Sequence, residues 1–221
     1  MRHLPLLFLL VAGCGSSGGT SFLSADAMRE GCVGSALDLL QELGDRFAPL
    51  AEAADEGTLS LLAALEGAEL QLATRPGEPH LLRFDALDLR GGPATVRAEI
   101  RPTPDGAAIL ATIEGPRVSA EARVDLLRDP EGGIRASGTL LGRYDGCEVD
   151  ASFDDLWARM VADLPERPLG ALFVAGTIEL AVRGGNEAAT GKAAFAGRDA
   201  FVILTVGGVA SHGPIDLRPA P

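Results

Sequence analysis

Apolar residues recur at every third or fourth position from residue 35 to about residue 66, and at every second position from residue 68 onward. The chain therefore divides into a helical first third and a strand-rich remainder. Leu37, Leu40, Phe47 and Leu50, with Leu39 and Leu43 beside them, lay an apolar stripe on one helix face, while Glu42, Asp45 and Arg46 occupy the other. Ser35-Ala36-Leu37-Asp38 has the order of a capping box, which predicts a helix start at Ser35. Pro49 has no N–H to give the preceding turn and predicts a kink or a new helix. Gly57 and Thr58 predict a break and restart that runs to Gly67, so helices fill residues 35–66.

Beyond Gly67, turn residues punctuate the chain every ten positions or so. Val96, Ala98 and Ile100 alternate with Arg97, Glu99 and Arg101, and Val118, Ala120, Ala122, Val124 and Leu126 alternate with Ser119, Glu121, Arg123 and Asp125. Each set reads as a strand with one wet and one buried face. Further strands are expected at 68–74, 80–89, 107–113, 134–144, 147–153, 172–183 and 193–206. Connections this short imply antiparallel neighbours. A second capping box, Ser152-Phe153-Asp154-Asp155, predicts a short helix over residues 153–164 with Trp157 and Val161 turned to the sheet. The stretch 200–206 is apolar at both parities, which fits a central strand or a second packed sheet.

An open sheet must cover its apolar face, and the N-terminal helices are the available cover. The expected fold is α+β, with helices packed on a curved, half-barrel-like antiparallel meander; a two-sheet β-sandwich is the alternative. One domain, residues 35–221, accommodates all of this, with the sheet over 68–206.

The first thirteen residues follow a different logic. Arg2 precedes an apolar run from Leu4 to Val11 and then small residues, the order of a secretory signal peptide over residues 1–13. About nine apolar residues reach roughly 14 Å as a helix, under half of the ~30 Å hydrocarbon core, so this run is too short for a span. Val11-Ala12-Gly13-Cys14 resembles the lipobox of bacterial lipoproteins. That resemblance implies diacylglycerol on the Cys14 sulfur, cleavage before Cys14 and palmitate or a similar acyl chain on the new amino terminus. Each buried methylene adds ~0.8 kcal/mol, so two or three chains anchor the protein firmly. Residues 14–34 are then expected as lipidated N-terminus and tether, since Gly15-Ser16-Ser17-Gly18-Gly19 has the composition of a flexible linker. In the family, aspartate after the cysteine favours inner-membrane retention; Gly15 here points to the outer membrane, facing the periplasm.

Losing Arg2 with the leader takes the formal charge from −12 to −13, a balance that disfavours nucleic acid and anionic headgroups as partners. Cys32 and Cys147 remain, and in an oxidising envelope they are expected to pair. His80 and His212 are the only histidines left, without the paired spacing of a zinc site, and no G-x-S-x-G nucleophile elbow occurs. Asp145, Glu148, Asp150, Asp154 and Asp155 cluster in sequence, but Glu148 and Asp150 alternate with Cys147, Val149 and Ala151, as the wet face of a strand does. No enzyme, metal site or cofactor is expected.

Ala98, Ala120, Ala122, Ala136, Gly138 and Ala151 make the inward positions small. Small side chains admit either a closely packed helix or an apolar ligand. Helix first, a long meander, a helical insertion and final strands is similar in element order to the half-barrel lipoprotein carriers of the LolA/LolB type. That similarity implies an apolar ligand or lipid held between sheet and helices. The alternative is a non-enzymatic structural or assembly lipoprotein whose partner is another envelope protein.

Overall fold

The computed structural model describes residues 24–217, apart from residues 54, 90, 91, 131, 145, 165, 166, 197 and 198. The expected signal peptide and Cys14 lie outside the described residues. The helical part begins well before Ser35. Ser24 is the N-cap, its hydroxyl accepting the Ala27 N–H at 3.1 Å. The turn Ala25–Ala27 (α1), a π-helical stretch Met28–Val33 and the helix Gly34–Ala51 (α2) then follow without a break. The expected tether over residues 14–34 is thus corrected at its C-terminal end: Met28, Cys32 and Val33 are buried apolar residues, and they extend the stripe by one more stretch of helix. Pro49 sits in the last turn of α2, which runs on through it and ends at Ala51 rather than starting a new helix there. Asp55 caps α3 (Glu56–Leu65), its carboxylate accepting the Thr58 N–H at 2.9 Å and the Thr58 hydroxyl at 3.0 Å.

Eleven strands follow. They are β1 (Glu69–Gln71), β2 (His80–Leu89), β3 (Gly92–Thr103), β4 (Gly106–Glu114), β5 (Val118–Arg128), β6 (Ile134–Tyr144), β7 (Cys147–Leu164), β8 (Arg167–Gly184), β9 (Glu187–Ala196), β10 (Asp199–Val206) and β11 (Val209–Asp216). All belong to one antiparallel sheet in sequence order, so no second sheet of a sandwich is formed among the described residues. Leu82, Ala98, Ala111, Ala122, Leu140 and Ala151 are successive cross-strand partners from β2 to β7 and form a continuous inward row. α2 touches strands as distant in sheet order as β2 and β8, so the sheet curls around it. Every residue of α2 except Arg46 is buried. α3 contributes less cover: Leu59 and Ala63 are buried, while Leu61 and Leu65 face solvent.

Three strand expectations are corrected. Residues 153–164 form the second half of β7, paired with β8 as far as Leu164↔Arg167, and not a helix. The kink that the capping box mimicked is a bulge, where Asp155 takes φ +58° and the register shifts between Asp154 and Trp157. The expected strand 193–206 is two strands, β9 and β10, and residues 209–216 add the edge strand β11. Phe201 and Ile203 on β10 point away from the core, so the doubly apolar stretch has no second sheet behind it.

Candidate functional site between helix and sheet

The helical block enters the sheet's concave face at its N-terminal end. Arg29 in the π-helical stretch lies against Gly213 of β11, where a Cβ would meet its guanidinium, and the Ser211 hydroxyl donates to the Asp26 carboxylate. One turn further, Cys32 reaches Cys147 at the start of β7. Their Cα atoms are 5.9 Å apart, at disulfide distance, across a sequence separation of 115. Tyr144, directly opposite Cys147 in the β6–β7 hairpin, is 2 % exposed. Its hydroxyl finds no hydrogen-bond partner among the described residues, and burial raises its pKa above the ordinary phenol value.

Further along α2 the helix backbone approaches β8 closely. Gly44 faces Phe173, and any side chain at position 44 would run into that ring. Phe173 stacks on Phe195 with centroids 5.6 Å apart, and its N–H donates to Gln41 Oε1 at 3.3 Å. At the C-terminal end Phe47 meets Phe84 edge-on at 5.9 Å. Arg46 lies over the same Phe84 ring at 5.9 Å, bonds Glu42 at 2.9 Å and donates to the Glu66 carbonyl at 3.0 Å. This partly buried guanidinium thus ties α2 to the end of α3 with its charge compensated by Glu42 and Glu66. The small inward residues accommodate the protein's own helix, and the space beneath the sheet is filled along α2.

The residues considered for chemistry do not converge. His80 is buried, and its Nδ1 accepts the Ala73 N–H at 3.0 Å, which closes the loop before β2. His212 faces outward on β11. Glu148 pairs with Arg143 at 2.9 Å. Asp154 accepts the Ser137 hydroxyl at 2.8 Å, and Asp155 binds Arg135 at 2.8 Å, both at the β7 bulge. Asp150 is exposed on the outer face, and Asp145 lies outside the described residues. Among the described residues no three His, Cys, Asp or Glu side chains are grouped to hold a metal ion.

Two depressions lie on the outer face of the sheet. One of about 690 Å³ is bordered by Arg143, Glu148, Asp150 and Arg183, and one of about 500 Å³ by Leu81, Arg83, Arg97 and Leu110. Both are open and charged at the margin. Gln41, Gly44 and Phe173 escaped the sequence reading, because a polar residue and a glycine within a helix signal close packing only once the opposing strand is known. No protein-family model, curated protein or solved structure matches the chain.

Proposed function

We propose that the chain is a lipid-anchored protein of the bacterial cell envelope, without a catalytic site, whose half-barrel body serves as an assembly or binding scaffold. The observation that carries this reading is the position of α2. A carrier needs vacant apolar volume inside the sheet, and here a helix buried on nearly every side occupies that volume, with Gly44 packed against Phe173. The lipobox-like Val11-Ala12-Gly13-Cys14 supports the address, with Cys14 as the acyl attachment point. The engagement of His80 by a backbone N–H and the scatter of the carboxylates support the absence of acid–base chemistry.

Two measurements test the proposal. Cells fed labelled palmitate should label the wild-type chain and not the Cys14→Ser variant; equal labelling of both, or none of either, overturns the anchoring. Organic extraction of the purified protein should release no lipid in stoichiometric amount, apart from chains covalently bound at Cys14. One extractable lipid per chain would overturn the scaffold reading and establish the apolar-ligand carrier instead.

A further inference from the structure

The outer face of the sheet is divided by chemistry. Over β3, β5 and β7 its positions are charged, with Arg97, Glu99, Glu121, Arg123, Glu148 and Asp150 in turn, and single exposed leucines, Leu110 on β4 and Leu141 on β6, are set between those charges. Over β9 to β11 the outward positions carry fewer charges, namely Lys192 on β9 and Asp199 on β10, with His212 on β11. Ala194, Phe201 and Pro214 are direct cross-strand partners there, as are Thr190, Thr205 and Ala210. Phe201 is 45 % exposed, Ile203 beside it 49 %, and Val209 at the β10–β11 turn 66 %. The one lysine in this region, Lys192, has its charge taken up by Glu179 at 2.9 Å. Ile203 lies between Lys192 and His212, so the exposed apolar patch consists of Phe201 and Ile203 along β10 with Ala194 and Pro214 on either side of Phe201, and such a patch marks a contact surface.

The path of the chain indicates what covers it. α1, which Ser24 caps, packs on β10 and β11, and Asp26 is bonded to Ser211 of β11. Among the described residues β11 pairs with β10 alone, so the polypeptide joins the fold beside this sheet edge. Cys14 is ten residues ahead of Ser24. Ten residues span at most ~35 Å even when fully extended. An acyl group on Cys14 therefore leashes the β9–β11 side to the membrane more closely than the charged side.

We propose that the outward face of β9–β11, centred on Phe201 and Ile203, rests on the phospholipid surface when the chain is anchored. This rests on the anchoring reading above. Apolar side chains of this size enter the headgroup–acyl boundary, and the acidic strands are then held away from anionic headgroups.

A probe at Ile203 tests this. The full mature chain, acylated in cells and carrying Ile203→Cys, is labelled with an environment-sensitive fluorophore and reconstituted into phosphatidylethanolamine–phosphatidylglycerol vesicles doped with nitroxide lipid. Leu110→Cys, outward on β4, is the comparison, and the mass of the N-terminal peptide reports acylation of Cys14. The expected result is a blue shift and loss of emission at position 203, with neither at position 110. Acylated protein in which both positions behave alike overturns the inference and leaves the anchoring intact. An unacylated Cys14 overturns both. A blue shift at 203 in detergent, with the protein sedimenting as a dimer, assigns the face to a second copy of the chain and also overturns the inference.

Discussion

Tyr144 is the single tyrosine of the chain, so its ionisation can be followed without interference. Its ring fills the space beside Cys147 and Gly142, while its hydroxyl has given up water without gaining a partner among the described residues. Leaving such a group unsatisfied costs on the order of 1–3 kcal/mol. Tyr144→Phe keeps the ring and removes that cost, so it is expected to raise stability by about 1 kcal/mol in urea unfolding. The pH dependence has a definite sign. Burial holds the folded phenol's pKa above the unfolded value, so the folded state binds the proton more tightly. Folding is unaffected below the ordinary pKa of about 10 and weakens as pH rises above it. Phenolate absorbance should therefore appear above that value and together with unfolding, and Tyr144→Phe should flatten the alkaline limb. Phenolate forming near the ordinary value in still-folded protein would contradict this burial.

Gly44 and Phe173 set how closely α2 approaches β8. Overpacking a filled interior costs about 1–3 kcal/mol. Gly44→Ala is accordingly expected to lower the urea midpoint by that amount of stability, although alanine favours the helix. In the double variant with Phe173→Leu the two losses should be less than additive, since the smaller side chain makes room. Additive losses would place the two residues out of contact. Such pairings were invisible in the sequence, whereas elements with one clear period were not. β2 and β6 begin and end where alternation predicts, because alternation carries β6 and the first half of β2, up to the bulge between Phe84 and Leu87, and turns bound both. Residues 153–164 satisfy both periods: Trp157 and Val161 are a helical turn apart, yet Leu156 and Ala158 also alternate with Trp157 and Arg159. The pairing partner on β8 decides in favour of the strand, and a capping signal cannot report a partner that lies beyond a turn. β11 contains Gly213 and Pro214, which argue against a central strand but are tolerated at an edge. The inward row of small residues was legible as well, while its occupant was not. A helical stripe states that it is covered, not which face of which sheet covers it.

At the scale of the molecule, each strand pairs with its neighbour in sequence, so the sheet closes only short loops as it forms. The helix-to-sheet contacts are different: those to β7 and β8 join the N-terminal segment to strands reached more than a hundred residues later. Cys32 and Cys147 sit at that junction, separated by 115 residues and at disulfide distance. A covalent link there restricts the unfolded chain far more than the folded one, and in the chain-entropy model a loop of this length is worth about 4–5 kcal/mol. With the pair oxidised, protein unfolded without reductant should take up no alkylating agent at Cys32 or Cys147, and protein unfolded with reductant should take up one adduct at each of the two. The Cys32→Ser, Cys147→Ser double variant should lose a large share of the unfolding free energy, and the lost stability should appear first as exposure of α2. Hydrogen exchange in the variant is therefore expected to rise across residues 28–51 before it rises in β3 to β6, whose pairing is local. Adducts on both cysteines without reductant would remove the link. Uniform loss of protection across helix and sheet would show instead that α2 and the sheet unfold as one unit, bonded or not.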